Sequence, residues 1–254
     1  MQALPTQGLR LNRRHPDAVG CYFAMPVMEC GGEVVRDLAW SGSKGLGQPT
    51  WSGTRSYVNL RRGRALSVST GNTVATPSSG TPWASDWSVC LTVMPTSFIA
   101  AKGGLIRSGG FAIAHAASTG TVEIHQDNVA VRATSSQTLA TGVETVLGVR
   151  WRGSDNAYAF FFNGIKETGT GSGAVTSAST PTSIFAAFNA AVITGAIRDI
   201  RIWNRFMPDA TFYRYYRDPL SFYVSRPSPV FSTATASALF GKMFFPFLHP
   251  ALQS

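Results

Sequence analysis

The side chains able to do chemistry are few, and most of them are basic. The chain of 254 residues carries 22 Lys+Arg against 13 Asp+Glu, a formal net charge of +9. Lysine occurs only as Lys44, Lys102, Lys166 and Lys242, so the positive charge is almost all arginine. Arginine makes forked hydrogen bonds and suits fixed contacts better than simple solubility. The densest groups are Arg10, Arg13 and Arg14, then Arg61, Arg62 and Arg64. Two basic clusters without a recognisable module disfavour a nucleic-acid partner. Arg10, Arg13 and Arg14 are therefore taken as candidates for binding a protein partner, against the plainer reading of solvated arginines.

The other chemistries find little support. Glycoside hydrolysis needs two carboxylates placed across a cleft. The acids here are scattered, and no strand presents two or three at i, i+2 or i+4. Glu123 and Asp127 are four apart but read as a solvent-face acid and a turn acid. His115 and His125 are expected on neighbouring strands with no evident third ligand, so no metal site is expected. Asp86 and Asp155 are weighed as single carboxylates of a Ca²⁺ site and read more plainly as turn caps. There is no Gly-x-Ser-x-Gly elbow, no phosphate loop and no His-Glu-x-x-His. No catalytic residue, metal or cofactor is assigned, and the protein is expected not to be an enzyme.

Cys21, Cys30 and Cys90 form an odd, widely spaced set, read as buried thiols in a reducing compartment, with a Cys21–Cys30 bridge as the alternative. The opening MQALPTQGLR has no apolar core ahead of its arginine, so no signal peptide is expected. No stretch reaches the ~18 apolar residues of a membrane span, and no membrane partner is expected.

The elements that must position these residues are mostly strands. Charged residues are 14% of the chain, below the ~25% of an ordinary domain. That fits a sheet protein with Ser/Thr-rich faces, or one that hides much of its surface. Strands are expected at 56–60, 65–69, 87–94, 104–106, 111–115, 122–126, 129–134, 144–151, 156–162, 184–188 and 195–203. Val122 and Ile124 alternate with Glu123 and His125, and Val89, Leu91 and Val93 alternate with Ser88, Cys90, Thr92 and Met94. Asn163-Gly164 marks a hairpin. Turns at this spacing indicate a β-sandwich or jelly roll. One helix is expected over 208–218, with Pro208 in its first turn, Asp209 at its positive end and Pro219 as its stop. Phe212, Tyr215 and Tyr216 would pack it on the sandwich.

The expected organisation is an N-terminal arm over 1–20, a sandwich over 21–219 including that helix, and a C-terminal extension over 220–254. The extension carries Phe240, Met243, Phe244, Phe245 and Phe247. It is too apolar to hang in water and too short and broken to span a membrane, so these residues are expected to dock on a partner.

Gly195–Pro219 reads GAIRDIRIWNRFMPDATFYRYYRDP. It resembles the closing strand and following helix of concanavalin A-like, laminin-G-type β-sandwich domains. Ile197, Ile200, Ile202 and Trp203 match the apolar frame, Asn204-Arg205 the turn, and Tyr216 to Pro219 the exit. Ala65–Val68 with Asn72 to Val74, Asp86–Pro95 and Val146–Gly164 agree in order. The resemblance covers about 56–219 and implies an all-β, antiparallel sandwich or jelly roll with one short C-terminal helix and extended terminal arms. Members bind glycans, proteins or Ca²⁺. The hydrolases among their relatives carry a Glu-x-Asp-x-x-Glu strand that is absent here.

The opening from Gly8 to Asn12 and His15-Pro16 resembles laminin-G-like proteins encoded among structural genes of tailed bacteriophages. That resemblance implies a non-enzymatic virion protein on the capsid surface, assembled in the host cytoplasm. It would decorate or stabilise the capsid through its arms. Its partners would be the major capsid protein or another virion structural protein, and further copies of itself. The alternative is a glycan-binding module on a virion or cell surface, offering Trp83, Trp87 or Trp151 to a sugar. Each of these is also readable as core or edge packing. A fold does not fix a function, so both readings stand as expectations.

Overall fold

A computed structural model describes residues 9–26, 38–39, 50–52, 56–61, 63–69, 73–76, 85–98, 102–108, 110–126, 129–175, 182–184 and 193–225. Its strands are β1 (Leu9–Leu11), β2 (Cys21–Met25), β3 (Thr50–Ser52), β4 (Ser56–Leu60), β5 (Gly63–Val68), β6 (Thr73–Thr76), β7 (Trp87–Ser97) and β8 (Gly103–Ser108). They continue as β9 (Phe111–His115), β10 (Thr121–Gln126), β11 (Ala130–Thr138), β12 (Thr145–Arg152), β13 (Ala157–Phe162), β14 (Ile165–Thr170), β15 (Thr182–Ile184) and β16 (Thr194–Trp203). The helix α1 (Asp209–Arg217) and β17 (Tyr223–Ser225) close the series.

The strands build two large antiparallel sheets and a two-stranded one, β1-β17. One large sheet runs β11-β10-β9-β8-β15-β6-β3, the other β14-β13-β12-β7-β16-β5-β4 with β2 also on β16. The alternation read in the sequence now has a direction. Val89, Leu91 and Val93 of β7 meet Val122 and Ile124 of β10 in the core between the sheets. Ser88, Cys90 and Thr92 face the opposite way. Asn163 and Gly164 both take positive φ, +50° and +82°. That is the left-handed pair a tight hairpin needs, and it joins β13 to β14 in register Phe162↔Ile165.

β16 breaks the period of two, and the break is built in. Ile197, Ile200 and Ile202 all lie in the core although the first two are three apart. A register shift between Arg198 and Arg201 accommodates the extra residue, and Asp199 takes φ +52° there. The bulge returns Ile200 and Ile202 to the inside and sends Arg198, Arg201 and Trp203 to the outer face.

That outer face is covered by a third layer. α1 lays Phe212 and Tyr215 over it, and Phe161 stacks on Phe212 with ring centroids 4.0 Å apart. Gly148 makes this approach possible, because a methyl at its position would collide with the Phe212 ring. Pro208 is the N-cap of the helix and Asp209 its first residue. Asp209 pairs with Arg150 and Lys166, each at 2.6 Å, so the helix start is tied to two strands. A 3-10 turn over Pro219–Phe222 follows, and β17 then pairs with β1.

Leu11, Phe222 and Tyr223 share one buried cluster with Trp203 and Phe212, so residues 9–20 and 219–225 cover the sheet as one layer. Phe240, Met243, Phe244, Phe245 and Phe247, the residues expected to dock on a partner, lie outside the described residues, as do Arg62, Trp83 and Cys30. Among the described residues no helix is long and apolar enough to cross a membrane.

Candidate functional site

The third layer carries a recess. A cavity of about 600 Å³ is lined by Arg10, Leu11, Asn12, Arg13, Arg14 and Leu38. Its scaffold is local. β1 is held to β17 through Arg10↔Val224 and Leu11↔Tyr223, which buries Leu11 and leaves Arg10 exposed. The Asn12 N–H donates to the Phe222 carbonyl at 2.9 Å. The chain then turns tightly: the His15 N–H donates to the Asn12 carbonyl, and the Asn12 side-chain oxygen accepts from the Arg14 N–H at 3.2 Å. This turn leaves Arg13 and Arg14 exposed. The Leu38 N–H donates to the Ala24 carbonyl of β2 at 2.8 Å, so the apolar wall is tied to a core strand.

Asp17 anchors the turn from below. Its carboxylate accepts from Thr211 Oγ1 at 2.8 Å and from Arg214 Nη2 and Nε at 2.6 and 3.1 Å. Its carbonyl accepts from Trp203 Nε1 at 2.7 Å. Burial opposes its charge, but hydrogen bonds from Arg214 and Thr211 outweigh that and hold its pKa below the ordinary value. The chain that carries the arginines is thus pinned to β16 and α1.

Charge pairing separates two populations of arginine. Arg150, Arg152, Arg198, Arg201 and Arg214 each pair with a carboxylate. Arg201 is enclosed by aromatic rings: it pairs with Asp199 at 2.9 Å beside Tyr215, Phe222 and Tyr223 and donates to the Pro219 carbonyl. These arginines hold the layers together. Among the described residues no ion pair involves Arg10, Arg13 or Arg14, and all three line the cavity.

The structure moves several other sequence candidates. Trp87 and Trp151 are both fully buried, so neither serves as the exposed sugar platform considered above. Their alternation faces the core, where Trp87 packs edge-on to Phe111 at 4.7 Å. Glu123 and His125 do lie opposite Val122 and Ile124, but they are not solvent-facing: they are 8% and 1% exposed. Glu123 accepts from Lys102 Nζ and His125 Nε2, both at 2.7 Å. Ala114 stands between Gly104 and Glu123 in the pairing, and these small residues let Lys102 cross a strand. His115 is on the adjacent strand but faces the core, beside Phe98. Asp86 accepts from the Gly153 N–H and Asp155 pairs with Arg152, so each is a turn contact. Among the described residues no group of three or more His, Cys, Asp or Glu is placed to hold a metal ion.

Sequence reasoning missed Asp17, which ties the arginine-bearing turn to β16 and α1, and Asp199, which pairs with Arg201 and accepts from the Tyr223 hydroxyl. The three-residue spacing of Ile197 and Ile200 was a signal for the bulge at Asp199. Nothing local marks Asp17, whose partners lie nearly 200 residues along the chain.

No protein-family model matches the chain, and no curated protein matches it by sequence. Solved structures do. Domain 4 of AbnA, a GH43 extracellular arabinanase from Geobacillus stearothermophilus in complex with arabinotriose, matches with a TM-score of 0.58 at 15% identity, over 76% of this chain and 96% of that one. The binding domain of botulinum neurotoxin DC in complex with rat synaptotagmin II matches with a TM-score of 0.60 at 10% identity, over 79% of this chain and 52% of that one. Trypanosoma rangeli sialidase in complex with the inhibitor DANA matches with a TM-score of 0.56 at 10% identity, over 76% of this chain and 32% of that one. The chain thus spans nearly all of the arabinanase domain, about half of the neurotoxin domain and a third of the sialidase. At such identities the likeness speaks for the fold, which is a concanavalin A-like, jelly-roll antiparallel β-sandwich with one short C-terminal helix.

Proposed function

We propose that the protein is a non-catalytic, glycan-binding β-sandwich module that takes its ligand at the Arg10–Arg14 cavity. The observation that carries this reading is a recess of about 600 Å³ lined by Asn12 and by three arginines that form no ion pair among the described residues. Small-ligand sites span about 300–1,000 Å³ and combine an apolar wall with a few convergent polar groups. Leu11 and Leu38 supply the wall here. Support also comes from the arabinanase domain, which matches over 96% of its length and was solved with a sugar bound. The test is a glycan array probed with the full chain, followed by calorimetry on the hits. Binding that weakens in Arg13→Gln supports the reading. A blank array at high protein concentration overturns it.

A second reading keeps the virion role, and one observation favours it. Leu9 and Ser225 are register partners at the end of the β1–β17 pair, so the first and last described residues lie side by side. Two segments joined there would reach a single neighbour, such as a capsid protein or another copy of this chain. The check is a truncation to residues 1–225 added to particles. Loss of particle binding by a folded truncation supports docking through the tail, and full binding removes it.

A further inference from the structure

We infer that the Arg10–Arg14 cavity selects an acidic sugar, one bearing a carboxylate or sulfate group, over neutral glycans. This rests on the glycan-binding reading above and adds the ligand's charge to it.

Three features converge. The first is the balance of charge. Among the described residues, those lining the cavity include Arg10, Arg13 and Arg14 and no carboxylate. Asp17, the acid nearest to them along the chain, is 6% exposed at its side chain and committed to Arg214 and Thr211. A neutral sugar would give these three neighbouring guanidinium groups no opposite charge, whereas an oxyanion would accept forked hydrogen bonds from them.

The second is rigidity of the backbone beneath the charges. Arg10 sits on a strand paired to β17, and Arg13 and Arg14 sit on a turn closed by Asn12. The next residues, Pro16–Ala18, form a 3-10 turn whose Asp17 is locked to α1. Arginine side chains on a fixed base lose less freedom on binding than the same side chains on a loose loop.

The third is selectivity within the rest of the site. Leu11 and Leu38 line the same cavity, and the Asn12 amide nitrogen has no partner among the described residues. An apolar wall and one amide donor suit a sugar ring with its hydroxyls. A run of phosphates along a nucleic-acid backbone would instead call for an extended basic track. The formal charge of +9 raises the local concentration of any anion and speeds its arrival, but it does not choose among anions. The cavity supplies that choice.

The experiment titrates the full chain with polygalacturonate, with the same polymer after its carboxyl groups are reduced to alcohols, with sulfated dextran and with plain dextran. The expected result is binding to polygalacturonate, to sulfated dextran or to both, and at least tenfold weaker binding to their uncharged counterparts. Which of the two binds assigns the oxyanion to carboxylate or sulfate. Each charged hydrogen bond removed is worth about tenfold in affinity, so the Arg13→Gln/Arg14→Gln double variant is expected to lose about a hundredfold. Both residues are exposed, and an unchanged melting temperature confirms that the variant folds. Arg61→Gln/Arg64→Gln removes the same charge elsewhere and is expected to leave affinity within about twofold. Equal loss in both double variants overturns the inference, because net charge alone then explains binding. Equal affinity for charged and reduced polymers overturns it while leaving the glycan-binding reading intact. Binding to no polysaccharide overturns both, and tighter binding to duplex DNA than to any polysaccharide replaces them.

Discussion

Replacing Asp17 tests the link between the packed layer and the cavity. In Asp17→Ala the hydroxyl of Thr211, 1% exposed, loses its acceptor, as does the Arg214 fork. A buried donor left unsatisfied costs about 1–2 kcal/mol. The Arg214 side chain is 41% exposed, so solvent takes up most of its charge and its share is about 1 kcal/mol. The expected loss is about 2–3 kcal/mol, or about 4–12 °C in melting temperature for a chain of this size. Urea denaturation of the wild type, Asp17→Ala, Arg214→Ala and the double variant separates the pair energy, expected near 1 kcal/mol, from the Thr211 contribution. The pH dependence is a second check. Asp17 stays ionised in the native state at pH values where the unfolded chain, with an ordinary value of 3.8, takes up a proton. Its contribution is whole above 3.8 and fades as pH falls through the lower native value. The gap between wild type and Asp17→Ala should therefore close in strong acid. A loss below about 0.5 kcal/mol, or a gap that ignores pH, refutes Asp17 as the anchor. The same variant should weaken ligand binding at the cavity even where it remains folded, because the turn bearing Arg13 and Arg14 loses its base.

Two further outcomes follow from the packing. Gly148→Val places a side chain where the Phe212 ring lies, and overpacking of this kind costs about 1–3 kcal/mol; unchanged denaturation midpoints would show that α1 does not rest on that strand. His15, His115 and His125 all have pKa values below the ordinary 6.5, with burial as the leading cause in each. For His125 the contacts with Glu123 push the other way and Lys102 assists the lowering. Each is protonated more readily in the unfolded chain, so stability should be full above pH 6.5 and fall as pH drops below it. A denaturation midpoint that stays flat from pH 7.5 to 5 would contradict their burial as neutral rings.

Much of the sandwich was legible because its signals are local. Alternation in β7 and β10, the Asn163-Gly164 turn and the proline-bounded helix each depend on a few neighbouring residues and on φ/ψ preferences that those residues carry with them. The bulge in β16 had a local signal in the spacing of Ile197 and Ile200, but 195–203 was read as a plain strand. Alternation assigns Trp87 and Trp151 to one face or the other, yet it does not say which face is covered. Only the pairing of β7 with β12, register Trp87↔Trp151, and the second sheet opposite them placed both rings in the core.

The arginines show the same division most clearly. Composition established that the chain is basic, that the charge is arginine, and that Arg10, Arg13 and Arg14 stand close together. It did not distinguish these three from Arg150, Arg198, Arg201 and Arg214, which look alike as letters. That difference arises from contacts between residues far apart in the chain: Arg214 with Asp17, Arg198 with Glu144, Arg150 with Asp209. Among the described residues, pairing engages Asp17, Glu144, Asp199 and Asp209, and no carboxylate lines the Arg10–Arg14 cavity. A side chain's type is local, but its freedom to bind depends on which opposite charges folding has already brought to its neighbours.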